Sequence, residues 1–492
     1  MTRSDVVVIG AGLSGLVDAI LMAEAGRRVT VLEQHSVPGG YLQQFRRKGT
    51  WFDVGFHYLG STAPGRPMRQ FLEHLRIWER LELIPLPEEA AINVRSGGRT
   101  FGYPGTWRRF EQKARETWPK EGDALDRLFR DAEAVASAFK WLDLKRGREY
   151  RHPRDLEFEP ISLAEYLDSF VEDEWLKEVL GFQGFNLGLF PEEAPWVKFM
   201  LAFRSNFDHT SRVRGGGGAL VLALAERARE LGVDLRFRTG VARYVCEGRT
   251  VKSVETESGE SFEAELFLAA CNPKVVLARI SDEDLSPMFK QHVLEMRDSR
   301  GAVQIFLRLS EPIRSLGAAC LMLKDEEAAR EEPPIEVILI TQPSLIEGGG
   351  PPRLEAMTYM GLEPFAPWKE LPVMRRGEAY ERFKGRLAER MIRMVESVAP
   401  EIRSRIVDCY AATPLSDLHY TRNPGGAVFG ISHDVSQQGL HRPQPRTRLR
   451  NLFFTGHSIQ MPGICGVFIN AFDTCASILG DGQLFQSVAC DP

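Results

Sequence analysis

Asp5-Val6-Val7-Val8-Ile9-Gly10-Ala11-Gly12-Leu13-Ser14-Gly15 runs as a short apolar strand straight into a glycine-rich turn. Leu16 to Ala25 then carries helical spacing, and Arg28-Val29-Thr30-Val31-Leu32-Glu33 reads as a second strand ending on an acid. A Gly-x-Gly-x-x-Gly alone says little. Between a strand and a helix, with an acid about 20 residues on, it predicts a dinucleotide site. Gly10 makes the tight turn, Gly12 lets backbone N–H groups approach a pyrophosphate, and Gly15 lets helix and strand pack closely. The helix start at Leu13 and Ser14 offers free N–H groups and the positive end of a dipole to the anion. Glu33, with Gln34 beside it, is placed to accept from ribose hydroxyls. An acid there favours an unphosphorylated ribose, hence FAD or NAD over NADP.

The rest of the chain bounds the setting. Its 492 residues suffice for two or more domains with a large core. A hydrophobic share of 43% and a charged share of 26% are those of an ordinary soluble globular protein. The net charge of −5 and the lack of a basic, aromatic-interleaved patch exclude a nucleic-acid partner. Cys246, Cys271, Cys320, Cys409, Cys465, Cys475 and Cys490 are dispersed without a C-x-x-C pair, which predicts reduced thiols in the cytoplasm. The first strand begins too early for a signal peptide to precede it. No window approaches the roughly 18 apolar residues of a membrane span, which leaves peripheral membrane contact open. No spacing of ligands suggests a metal.

Chain organisation is discontinuous. A hairpin-like stretch, Gln43 to Phe56, follows the opening unit. Long aromatic helical patterns follow, with Trp107, Phe110, Trp118, Phe139, Trp141 and Trp175. Gly215-Gly216-Gly217-Gly218 then precedes an apolar helix, a strand and a meander. Residues 300–411 alternate strands with one long helix, Arg376 to Ala399, and Asn451 to Gly456 is a last buried strand before a helix from about Gly466. These elements predict an α/β protein, with a Rossmann-type FAD-binding domain and a discontinuous mixed α+β substrate domain. The expected divisions are 1–105, 212–300 and 446–492 for the nucleotide, and 106–211 with 301–445 for the substrate.

The order of Gly10/Gly12/Gly15, Glu33, Pro38-Gly39-Gly40, Phe52-Asp53-Val54-Gly55-Phe56-His57-Tyr58 and Phe454-Thr455-Gly456 resembles a known family. It is similar to the FAD-dependent phytoene desaturase, carotenoid isomerase and retinol saturase family, within the amine-oxidase-like flavoproteins. Asp53, Gly55, His57, Tyr58 and Gly60, with the tail Thr455, Gly456, Gly463 and Gly466, resemble the retinol saturase branch most. The Asn423 to Gly430 segment is similar to the family's Asn-x-x-Gly-x-x-Tyr-Gly. Amine oxidases carry Arg after the Gly-Gly pair; this chain has Tyr41.

The resemblance implies further site residues. Gly39 and Gly40 would turn their N–H groups toward the second phosphate, with Tyr41 following. Val241 would meet adenine through its backbone, unless it is a plain core valine. Gly55 and Phe56 would lie near the flavin. Gly456, Gly463, Ile464, Gly466 and Val467 would bring a helix N-terminus to its pyrimidine edge. Catalysis is assigned to His57 first, with Tyr58, His457 and His209 as weaker candidates. An unperturbed imidazole can both give and take a proton near neutrality; the alternative for His57 is that it buttresses its turn. The segments Phe182–Phe190 and Trp196–Phe207 line either a tunnel for a long apolar substrate or a helical core.

The implied function is FAD-dependent redox or isomerisation chemistry on C=C bonds of a polyene, an isoprenoid such as a carotenoid or retinoid, or a polyunsaturated lipid. With one dinucleotide fingerprint, electrons would pass to or from another carrier, oxygen or a quinone. Two other readings stand beside it: a flavin amine oxidase, and a non-enzymatic prenyl-binding escort-like protein.

Overall fold

Val6, Val7 and Val8 are completely buried because their strand is covered on both faces. The structure is a computed structural model that describes residues 2–139 and 160–484. Trp141 and Cys490 lie outside the described residues. Strand Thr2–Ile9 pairs in parallel with Val29–Leu32 on one side and Ser261–Ala269 on the other. The sheet extends through Asp234–Arg236 beyond Val29–Leu32, and through Thr250–Thr256 and Val241–Glu247 beyond Ser261–Ala269. Leu452–Phe454 adds a parallel partner at the end of Ser261–Ala269. Parallel strands with both faces covered need continuous apolar sequence, which is why Val6 to Ile9 does not alternate with polar residues.

Side chains of this sheet separate by parity. Val6, Val8, Val29 and Val31 enter a core with helices Leu13–Glu24, Gly216–Glu230 and Gly463–Leu479. Val7, Ile9 and Leu32 enter the opposite core, with the meander and the short helix Pro273–Leu277.

A second seven-stranded sheet runs Ile406–Ala412, Gly301–Leu309, Arg353–Met360, Val337–Thr341, Cys320–Lys324, Ile92–Ser96, Arg99–Tyr103. One face carries Val303, Ile305, Leu307, Ile338 and Ile340 against helix Gly377–Val398. The other carries Ala302, Met322, Leu339 and Met357 against the aromatic helices of residues 107–205. Residues 92–103 therefore sit in the second sheet, although the expected nucleotide segment runs to 105. The reason is that Ile92–Ser96 finds a parallel edge on Cys320–Lys324, a strand more than 200 residues away that local sequence does not announce. The C-terminal helix begins at Gly463 rather than Gly466.

Candidate functional site

A cleft opens where the first strand ends. Gly10 has φ +103° and Gly39 φ +126°, a region of backbone space that side chains with a Cβ rarely enter. Gly39 N–H donates to Ala11 O at 2.9 Å, which ties the second glycine pair to the first turn. A Cβ added at Gly12 would meet no protein atom within 4 Å, so the space in front of it is open. Helix Leu13–Glu24 has Gly12 as N-cap and helix Gly463–Leu479 has Pro462, and neither end has a side-chain cap. Two sets of first-turn N–H groups are thus free to bind an anion or a ring carbonyl. Glu33 is buried at the cleft wall, where Oε2 accepts Ala11 N–H at 2.7 Å and Oε1 accepts His35 N–H at 2.8 Å. A carboxylate has about four acceptor positions, so two remain for ribose hydroxyls. Thr239, Gly240, Val241, Gly456, His457 and Val467 also line the cleft. An open space before Gly12, two uncapped helix ends and a half-used acid at this spacing fit FAD.

A second, larger space adjoins the cleft. This cavity encloses about 540 Å³ under the second sheet, with Ala302, Gln304, Leu339, Met357 and Tyr359 as its roof. Phe185, Trp196, Val197, Leu201 and Ile469 add apolar wall. Tyr41, Gly55, Val428, Phe429, Gly463 and Ile464 line both spaces, so the two meet there. Tyr58 points its hydroxyl at Asn186 Oδ1, 2.8 Å away.

His57 lies on the cavity wall. Its Nε2 stands 3.1 Å from Met357 Sδ, and its enclosed Nδ1 has no partner. Burial, helped by the Arg212 guanidinium, lowers its pKa to about 4. The ordinary imidazole range expected for this residue therefore does not apply. His57 is neutral at pH 7, where it can accept a proton only at a cost. His457 is lowered to about 4 for the same reasons, burial first and then the Arg442 charge.

An acid of opposite character faces the same cavity. Asp417 is 6% exposed, and Oδ2 accepts Ala302 N–H at 3.2 Å. Burial raises its pKa to about 8. At neutral pH it is a carboxylic acid, able to donate. The sign for stability follows. Between about pH 4 and 8 the folded protein keeps a proton that the unfolded chain has lost, so this group removes stability as pH rises. Asp417→Asn stays neutral throughout. Melting curves should show the wild type losing more Tm than the variant between about pH 5 and 8. Parallel losses would mean that Asp417 is ionised in the folded protein.

The expected site residues divide clearly. Gly10, Gly12, Leu13, Ser14, Glu33, Gln34, Gly39, Gly40, Tyr41, Gly55, Val241, Gly456, Gly463, Ile464 and Val467 line the cleft. Gly466 lines the cavity instead. Gly15 lines neither; a Cβ there would strike the Gly10 carbonyl, so its task is helix packing. Phe56 is also no wall residue. It is fully buried in the core, with the Arg212 guanidinium 5.5 Å above its ring. His209 is exposed, away from both spaces. Of the aromatic segments, Phe185 and Trp196 face the cavity, whereas Phe182, Phe199, Phe203 and Phe207 are core. Sequence reading missed Asp417, Lys198 and Gln304. A lone Asp in the first turn of helix Pro414–Thr421 looks like an ordinary N-terminal charge, and nothing local marks it.

Known proteins place the chain more broadly. A family model described as "Flavin containing amine oxidoreductase" matches residues 13–474. The all-trans-retinol 13,14-reductase of Danio rerio is 23% identical, over 96% of this chain and 86% of its own. The zeta-carotene-forming phytoene desaturase of Myxococcus xanthus is 25% identical, over 93% and 90%. The solved structure of wild-type putrescine oxidase bound to putrescine superposes with a TM-score of 0.66 at 20% identity, covering 97% of this chain and 99% of that one; it shares the fold. Among the described residues, no helix is long and apolar enough to cross a membrane, and no group of three or more His, Cys, Asp or Glu is placed to hold a metal ion.

Proposed function

We propose that this chain, which belongs to the flavin containing amine oxidoreductase family, uses FAD to reduce, desaturate or isomerise C=C bonds of an elongated apolar substrate, a polyene isoprenoid or unsaturated lipid. The observation that carries the reading is the junction: an apolar cavity of about 540 Å³ adjoins the nucleotide cleft where Gly55, Val428, Phe429 and Ile464 line both. The relatives named for retinol reduction and phytoene desaturation support the substrate class.

FAD, when bound, supplies hydride exchange with a substrate carbon. The chain's residues do the rest. The Gly10–Gly15 turn and Gly39–Gly40 would hold the pyrophosphate, Glu33 the ribose, and the N–H groups at Gly463 the flavin edge. Gln304 Nε2 is spent on Val54 O at 2.5 Å and fixes the turn that carries Gly55 and His57. The apolar walls exclude water and hold an extended chain in line. Asp417 keeps a proton on the cavity wall at neutral pH, while His57, uncharged, sets the shape of its turn.

A flavin amine oxidase fits less well. Asp417, which faces the cavity, is uncharged near neutrality, and the basic side chains Lys198 and Arg442 line the same space. Oxygen or a quinone would serve as electron carrier, and contact with a membrane surface would deliver the lipid. The test is anaerobic spectroscopy of oxidised and pre-reduced protein against carotenoids, retinoids, polyunsaturated fatty acids and simple amines. At least one polyene or unsaturated lipid should change the flavin spectrum or emerge altered. Rapid reduction by amines with no response to any lipid would overturn the proposal.

A further inference from the structure

One corner of the cavity is polar, and the chemistry above leaves it unused. Lys198, in the first turn of helix Trp196–Ser205, lines the cavity and does not line the cleft. Its Nζ stands 3.0 Å from His433 Nδ1. His433 Nε2 lies 2.6 Å from the His457 carbonyl oxygen, so Nε2 carries the hydrogen and Nδ1 accepts from Lys198. That uses one of the three ammonium donors. No described carboxylate is ion-paired with Lys198.

The neighbours cannot make up the deficit. Arg442 behind it is buried and spent on main-chain carbonyls: Nε on Ile459 O at 2.8 Å, and Nη2 on Ser458 O at 2.8 Å and Ile431 O at 3.1 Å. The buried carboxylate of this corner, Asp434, already pairs with Arg297 at 2.9 Å. Gln438 and Gln444, also on the wall, donate their amide hydrogens to main-chain oxygens of residues 433–442. Lys198, Arg442 and Arg297 thus share one buried acid, Asp434, and Lys198 alone among these groups has donors to spare.

We propose that Lys198 anchors a carboxylate at the end of the elongated unsaturated ligand, so that the substrate is an apolar unsaturated acid; this rests on the cavity being the lipid site argued above. A carboxylate brings the negative charge the corner lacks and accepts two hydrogen bonds from Nζ. Burial and then the Arg442 charge push Lys198 well below its usual range, the cost of a buried ammonium with no carboxylate against it. A bound carboxylate supplies that partner charge. An ester or alcohol of the same chain has the apolar part alone.

The experiment is a fluorescence titration of FAD-loaded protein, kept anaerobic, with cis-parinaric acid and its methyl ester. The acid should bind the wild type about tenfold more tightly than the ester, the scale of one charge-assisted hydrogen bond. In Lys198→Met, and in the milder Lys198→Gln, that preference should vanish while ester affinity changes by less than about twofold. Equal binding of acid and ester by the wild type overturns the anchor and leaves the lipid reading standing. So does a preference that survives in Lys198→Met. Failure of both probes to bind the wild type overturns the anchor and the lipid cavity together.

Discussion

Gly12→Val protein should fold and emerge without its flavin, whereas Gly15→Val protein should fail to fold. The two glycines sit three residues apart in one turn, yet they answer to different neighbours. Gly12 has φ −70°, which valine adopts without strain, and a Cβ there meets no protein atom within 4 Å. The added methyl groups project into the cleft, into the space where a pyrophosphate takes its backbone hydrogen bonds. Losing two charge-assisted bonds of about 1.5–3 kcal/mol each weakens binding by at least about 100-fold. Gly15 faces inward. Its Cβ would collide with the Gly10 carbonyl and stand 3.1 Å from Ala270 Cβ, so the helix would be forced off the sheet. Far-UV circular dichroism and visible absorbance of the purified variants separate the two outcomes. A folded Gly12→Val protein that keeps its yellow colour would remove the pyrophosphate from this turn.

That contrast explains what local sequence could and could not tell. Glycines at Gly10 and Gly39 answer to backbone angles set within a few residues, and the acid at Glu33 to the end of a neighbouring strand, so their pattern is readable directly. The cavity is another matter. Its wall comes from the His57 turn, from helix Trp196–Ser205, from three strands of the second sheet and from the start of helix Gly463–Leu479. Phe185 and Phe199 lie in equally aromatic stretches, and only the packing of the second sheet decides that one meets the cavity and the other the core. The His57 turn is legible in the sequence, but the protonation of His57 depends on its burial and on Arg212, 155 residues away in sequence. Titration is a property of the assembled surroundings, and so Asp417 and Lys198 carry no local signal at all.

Arg212→Met should cost about 3–5 kcal/mol of stability, the effect expected when a buried pair loses one partner. Arg212 is completely buried and reaches in three directions: Nη2 to Asp53 Oδ2 at 2.5 Å, Nε to Glu347 Oε1 at 2.8 Å, and Nη1 to the His57 carbonyl at 3.2 Å. Asp53 passes the contact on, since its Oδ1 accepts Gly217 N–H at 2.9 Å at the start of helix Gly216–Glu230. Glu355 lies against the same cluster, receives Asp53 N–H at 3.1 Å, and is pushed toward its protonated form by burial and by the Asp53 charge. A methionine would fill the volume but leave the Asp53 carboxylate without a cation, while Glu347 retains Arg353 at 3.1 Å. The His57 turn would lose its tether at the same time. Urea unfolding of the flavin-loaded protein measures the loss. Adding Asp53→Asn to Arg212→Met should recover part of it, because the uncompensated charge is then gone, whereas Arg212→Lys should recover little, because one ammonium cannot span three acceptors held at fixed angles. A loss below about 1 kcal/mol for Arg212→Met, the size of an exposed pair, would mean that water reaches this cluster and that the tether to His57 does not hold the turn.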